Sequence, residues 1–150
     1  MAAAKGGVKM LRRKAAKGGL HDALRAMPSL QRLSDKDIDA LVADGVEVTH
    51  AEGTVIMKRG DMGVGFHLIL SGSVDVVIDD KAVARLGAGE YFGEMGLLDN
   101  KPRTADVVVA SDLRTLTVLS WAFRPMLERN KGLERMLLEG MSQRLRDLQS

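Results

Sequence analysis

The chain has 150 residues, 45% hydrophobic and 28% charged, a balance that suits one soluble globular domain whose core needs no covalent staples. It contains no cysteine, so disulfide frameworks and cysteine-ligated zinc or iron–sulfur centres are excluded. The net charge of +2 hides an asymmetry: residues 1–19 hold Lys5, Lys9, Arg12, Arg13, Lys14 and Lys17 and no acid, which leaves 16 basic and 20 acidic side chains for the rest.

The segment 1–19, rich in glycine and alanine, reads as a flexible basic tail or a fraying helix ahead of a domain at residues 20–150. Contact of residues 5–17 with nucleic acid or an anionic surface is the less favoured reading, because the segment offers no aromatic ring to stack on bases. The longest apolar runs, such as Val107–Ala110, are too short to span a bilayer, and Ala2–Ala4 runs straight into Lys5. A cytoplasmic location is therefore expected.

Leu20–Met27 predicts a short helix stopped by Pro28. Ser34 then precedes Asp35, Asp37 and Asp39 and the apolar Ile38, Leu41 and Val42, the pattern of an N-cap with acids in the first helical turn; Gly45 ends it. The period then changes. Val46–Ala51, Thr54–Lys58, Phe66–Leu70, Val74–Ile78, Ala82–Leu86, Ala105–Ala110 and Leu113–Leu119 are short runs rich in β-branched residues, punctuated by Gly and Asp. They predict an antiparallel sandwich or barrel of roughly eight strands. The helical period returns over Trp121–Asn130 and Leu133–Leu148, with Trp121 and Phe123 expected to seat the first of these helices and an apolar stripe along the second.

Several suggestive patterns carry no chemistry. Asp35-x-Asp37-x-Asp39 resembles the start of a calcium loop but has Ala40 and Val46 where that loop needs Gly and Glu. Gly87-x-Gly89-x-x-x-Gly93 has the wrong spacing for a dinucleotide turn, and Gly60–Gly65 lacks the Lys-Ser/Thr of a P-loop. His21, His50 and His67 stand apart in sequence; a meeting of His50 and His67 across a sheet is disfavoured against ordinary satisfied histidines. No hydrolase motif appears, so an enzyme is not expected and no cofactor or metal is implied.

The informative stretch runs from Gly87 to Ala105. Glu94-Met-Gly-Leu-Leu98 is long enough for about one helical turn, and its first amides, near Glu94, Met95 and Gly96, lack helical partners and can meet an anion. Gly93 and Gly96 leave room for close approach. Arg103 can grip a phosphate through two N–H groups, and the Thr104 hydroxyl can add a bond. Glu94 would repel a phosphate, so its natural task is to accept a hydrogen bond from a sugar hydroxyl. Together these groups describe a site for a phosphorylated ribose with a free 2′-OH.

Phe92-Gly-Glu-Met-Gly-Leu-Leu98 with Pro102-Arg-Thr-Ala105 resembles the phosphate-binding cassette of cyclic-nucleotide-binding domains, the family of the bacterial catabolite activator, kinase regulatory subunits and cyclic-nucleotide-gated channels. Gly60-Asp61, Phe66, Gly72 and Val74-x-Val76 match the same pattern, and the resemblance spans roughly residues 20–148. It implies a mainly β fold: an eight-stranded antiparallel, jelly-roll-like β-roll with N-terminal helices, a short phosphate-binding helix and two C-terminal helices. It also implies that Gly93, Glu94, Met95, Gly96, Arg103, Thr104 and Ala105 bind the nucleotide, with Glu94 on the ribose 2′-OH and Arg103 on the cyclic phosphate. Val76 and Arg144 become candidates for the base, Arg144 because its distance from Arg103 resembles that of a base-capping arginine in some bacterial channel domains; a solvated helix face is the equal alternative.

Two departures stand out. Gly96 replaces a frequent alanine, which should be mild, and Val64-Gly65 replaces an acidic or polar pair in a loop expected to lie away from the phosphate. The chain ends at Ser150, soon after the last predicted helix, with no room for a winged helix. The expectation is a stand-alone sensor or regulatory module for cyclic AMP, favoured over cyclic GMP, whose last helix responds to ligand and acts on an unidentified effector protein. The alternative is a ligand-independent interaction scaffold docking through the basic tail.

Overall fold

A computed structural model describes residues 8–11 and 17–149. Seven strands, β1 (Val8–Leu11), β2 (Gly45–His50), β3 (Val55–Met57), β4 (Gly65–Ile78), β5 (Lys81–Leu86), β6 (Tyr91–Phe92) and β7 (Asp106–Leu119), form one sheet among the described residues. Five helices flank it: α1 (Lys17–Arg25), α2 (Asp35–Asp44), α3 (Glu94–Asp99), α4 (Ser120–Arg129) and α5 (Lys131–Gln149).

The sheet path is β1-β2-β7-β4-β5, with β3 on β7 and β6 on β4, and every pairing is antiparallel. The predicted mainly β roll with flanking helices is present, with seven strands rather than eight. The difference has a physical cause. Phe66–Leu70 and Val74–Ile78 are one 14-residue strand, β4, and β7 likewise joins two predicted runs. The polar Ser71-Gly72-Ser73 and Ser111-Asp112 segments, read as turns, are bulges: the β4–β7 register shifts at Ile69/Ser71, Ser71/Ser73 and Ser73/Val74 without breaking the ladder. Bending there curls the sheet into a roll.

Two strands were not anticipated. β6 is two residues long and gives no periodic signal. β1 lies inside the segment read as a flexible tail and pairs with β2 from Val8↔His50 to Leu11↔Glu47. Residues 1–7 and 12–16 lie outside the described residues, and with them most of the expected basic contact surface.

The helices start where their caps dictate. Ser34 caps α2 by accepting from the Asp37 amide at 3.1 Å, and Asp37 accepts in return from the Ser34 amide at 3.1 Å. A main core of Leu24, Leu30, Ile38, Leu41, Phe66, Leu116, Phe123, Met126, Leu133 and Leu137 joins the helices to the sheet. A second cluster, Ile69, Val74, Phe92, Val107, Val109 and Leu113, fills the roll behind the cassette.

Phe123 is fully buried, as expected, but Trp121 is 77% exposed and does not seat α4. The stripe on α5 is also only partly used. Leu133 and Leu137 are buried, whereas Leu138, Leu145 and Leu148 face solvent. The first two turns of α5 therefore belong to the core and the remainder projects along the roll. No described helix is long and apolar enough to cross a membrane.

Candidate functional site

The cassette is built by a short chain of local constraints. β6 pairs with β4 through His67↔Phe92 and Leu68↔Tyr91, which fixes the chain just before the glycine. Gly93 then takes φ 95°, and a Cβ there would stand 2.5 Å from the Gly65 carbonyl oxygen. Only glycine fits that turn. It opens α3, which ends at Asn100 in a left-handed conformation with φ 57°. Arg124 on α4 donates to the Leu98 carbonyl at 2.9 Å, placing a cation on the open carbonyls of the helix.

After α3 the chain returns beside the loop that follows β3. The Arg103 amide donates to the Asp61 carbonyl at 2.8 Å, and the Gly60 amide donates to the Arg103 carbonyl at 2.8 Å. This two-bond clip holds Arg103 in place. Its side chain is buried, with Nη1 donating to the Gly93 carbonyl at 2.6 Å and Nη2 to the Gly65 carbonyl at 3.5 Å. The loop expected to lie away from the phosphate site thus forms the bed of the arginine. Burial pulls the Arg103 pKa below its ordinary value, while the Glu94 and Asp99 carboxylates act in the opposite sense.

Glu94 is 2% exposed. Its Oε1 accepts from Arg144 Nη1 at 2.7 Å. Its Oε2 and the Nε of Arg103 are buried and have no hydrogen-bond partner among the described residues. Unpartnered buried polar atoms are costly, and a carboxylate oxygen and a guanidinium N–H so placed in one site are complementary to a hydroxyl and an anion. A cation without a carboxylate bound directly to it suits a phosphate better than an Arg–Glu ion pair would.

A cavity of about 900 Å³ lies over these groups. Every residue proposed from sequence lines it: Gly93, Glu94, Met95, Gly96, Arg103, Thr104, Ala105, Val76 and Arg144. Sequence reasoning missed the apolar wall of Met57, Ala84, Leu86 and Val107; Tyr91 and Phe92 also line the cavity. It also missed Gln143 and Asp147, which with Gly140 and Arg144 present one helical face to the cavity. Their spacing, i, i+3, i+4 and i+7, was the available signal.

A methyl group at Gly96 would stand 2.9 Å from Arg103 Nη1, which is itself held on the Gly93 carbonyl, and 3.2 Å from the Lys101 carbonyl oxygen. Glycine here leaves the arginine room that alanine would take. His67 sits beneath the cassette, stacked on Phe92 with ring centroids 4.8 Å apart and hydrogen-bonded through Nδ1 to Thr117 Oγ1 at 2.9 Å. Burial, with the charges of His50 and Arg103, pushes its pKa down to about 3, so it stays a neutral packing group. No cluster of three or more metal-ligating side chains occurs among the described residues.

Comparison with known proteins agrees with this geometry. Residues 47–130 match the family described as the cyclic nucleotide-binding domain. A cAMP-dependent protein kinase regulatory subunit from Colletotrichum orbiculare is 33% identical over 117 residues, covering 76% of this chain and 30% of that protein. A cGMP-dependent protein kinase from Toxoplasma gondii is 37% identical over 92 residues, 61% of this chain and 9% of the kinase. The regulatory domain of Toxoplasma gondii PKA, solved with cAMP, superposes with a TM-score of 0.64 at 26% identity, covering 77% of this chain and 46% of that one. The chain spans less than a third of the length of these two curated relatives. It belongs to the cyclic nucleotide-binding domain family.

Proposed function

We propose that the protein senses cyclic AMP, bound in the cavity above α3, and passes the binding event to an effector protein through α5. The observation that carries this reading is the pair of unpartnered buried atoms, Glu94 Oε2 and Arg103 Nε, in a cavity whose floor is a glycine-rich helix start. The ribose 2′-OH donates to Glu94, the cyclic phosphate takes Arg103 and the first amides of α3, and the Thr104 hydroxyl adds a bond. The apolar wall, including Val76, receives the purine. The role is regulatory and non-catalytic, in the cytoplasm, and needs no cofactor or metal.

Cyclic AMP is preferred on two grounds. One relative is named for dependence on cAMP, and another was solved with cAMP. A purine held largely by apolar contacts also needs no guanine-specific acceptor. A second reading, cyclic GMP, is favoured by the relative named for cGMP dependence and by the Asp147 carboxylate, which lines the cavity and could accept from guanine N–H groups. Part of its capacity is already used, because Gln143 Nε2 donates to Asp147 Oδ1 at 2.9 Å.

Isothermal titration of the full chain with each nucleotide decides between them. At least a roughly tenfold preference for cyclic AMP is expected, equivalent to about 1.4 kcal/mol. A tenfold preference for cyclic GMP reverses the assignment, and no saturable heat with either supports the ligand-independent scaffold.

A further inference from the structure

A second cavity, of about 400 Å³, lies between the Pro28–Leu30 turn and α5. Ser29, Tyr91 and Gly140 line both this cavity and the nucleotide cavity, so they form the wall that the two share. A Cβ on Gly140 would collide with the Tyr91 hydroxyl, so at this point the wall is a tyrosine set directly against helix backbone. Nothing in the cyclic-nucleotide reading uses the space beyond it.

The lining of that space divides into a floor and a mouth. The floor is apolar: Leu33 is 5% exposed and Met136 is partly buried. The Ser29 hydroxyl is already committed, donating to the Gly89 carbonyl at 2.8 Å. The mouth is charged. Arg32 Nη1 donates to Glu139 Oε2 at 3.0 Å, and Arg135 Nε stands 3.3 Å from Glu139 Oε1. One carboxylate thus faces two guanidiniums, and no other acid lines the cavity, which leaves one positive charge unbalanced.

Each guanidinium carries five N–H donors and directs one at Glu139, so most stay open to another acceptor. Both arginines are exposed, and exposed pairs hold their side chains weakly, so a second carboxylate can be admitted at little cost. A neutral apolar molecule would leave the charge at the mouth unanswered. A bare inorganic anion would leave the floor wet. A molecule with both parts answers both.

We infer that this cavity is a second ligand site, for a small organic anion: a carboxylate bound by Arg32 and Arg135 at the mouth, and a short apolar body resting on Leu33 and Met136. The inference does not depend on what occupies the nucleotide cavity, and the two ligands bind side by side across Tyr91.

The test is calorimetric titration of the full chain with octanoate, octan-1-ol and inorganic phosphate as probes. Octanoate should bind one-to-one with a Kd on the order of 1 mM or below. Octan-1-ol, which lacks the charge, and phosphate, which lacks the apolar body, should each bind at least roughly tenfold more weakly. Saturating cyclic AMP should leave octanoate bound one-to-one. The double variant Arg32→Gln/Arg135→Gln should weaken octanoate roughly tenfold or more and change cyclic AMP affinity by less than about threefold, because neither arginine lines the nucleotide cavity. Glu139→Gln removes the competing carboxylate and should tighten octanoate by roughly threefold.

Absence of saturable octanoate binding would overturn the site, as would undiminished binding in the double arginine variant. Competitive displacement by cyclic AMP would place octanoate in the nucleotide cavity and overturn it equally. Octan-1-ol or phosphate binding as tightly as octanoate would overturn the ligand class.

Discussion

Arg103 and Gly63 are in direct contact: a Cβ added to Gly63 would occupy the space of the Arg103 guanidinium. The arginine lies across bare backbone, and the loop between β3 and β4 is therefore part of the binding apparatus. Gly63→Ala keeps every charge in the site but moves the guanidinium. We expect it to weaken cyclic-nucleotide binding roughly tenfold or more, because displacing a charge-assisted contact costs on the order of 1.5–3 kcal/mol. Titration of the variant measures this, and native affinity would show that the loop and the arginine are independent.

The two aromatic residues at the start of α4 should differ sharply. Phe123 is 1% exposed and stacks on Phe66 at 5.3 Å, whereas Trp121 is 77% exposed. Phe123→Ala should cost about 3–5 kcal/mol of stability and Trp121→Ala less than about 0.5 kcal/mol. Urea unfolding of the two variants gives the comparison. A large loss at Trp121 would contradict the packing described.

Acid should destabilise the protein in a window set by His67. Its pKa falls from the ordinary 6.5 to about 3 in the folded state, chiefly through burial, and burial also lowers that of His50. Below pH 6.5 the unfolded chain therefore binds more protons than the folded one. The stability contributed by neutral His67 is complete above pH 6.5 and is lost progressively as pH falls toward 3. The slope from this one group approaches about 1.4 kcal/mol per pH unit. Unfolding free energies measured across that range should decline toward acid, and His67→Gln should flatten the decline. An unchanged slope in the variant would remove His67 from the account.

Helix α5 should exchange in two regimes. Its first part is anchored by buried Leu133 and Leu137, and from Leu138 onward it is held to the roll by the Gly140–Tyr91 and Arg144–Glu94 contacts. Without ligand, amides after Leu138 should exchange faster than those before it. Saturating cyclic AMP should protect the later segment selectively, since a ligand shifts a helix only through differential affinity for its two states. Hydrogen exchange followed by mass spectrometry reads this out. Equal exchange with and without ligand would show that α5 does not respond.

The order of elements was legible because its signals are local. The Ser34 cap, the change to period-two hydrophobicity at Val46 and its reversal near Ser120 depend on neighbouring residues. The merger of Phe66–Leu70 with Val74–Ile78 was not legible, because a polar Ser-Gly-Ser segment serves equally as a turn or as a bulge and the pairing with β7 decides. The exposure of Trp121 is likewise a tertiary outcome. Within the site, Gly93, Glu94 and Arg103 could be read from a contiguous motif. The groups that touch them come from distant segments: Gly63 in the loop before β4, Gly65 at the first residue of β4, and Arg144 on α5. Arg144 was named from its distance to Arg103, but the parts played by Gly63 and Gly65 depend on how the roll brings those segments together, which spacing along the chain does not record.

The most direct test of the central claim is a cyclic AMP titration of the native chain beside Arg103→Ala, with thermal unfolding of both recorded. The account predicts saturable binding by the native protein. It predicts a loss of roughly thirtyfold or more in the variant, corresponding to about 2–5 kcal/mol for removing one partner of a desolvated charged contact, with the fold retained. Equal affinity in a folded Arg103→Ala protein, or no saturable binding by the native chain, would contradict it.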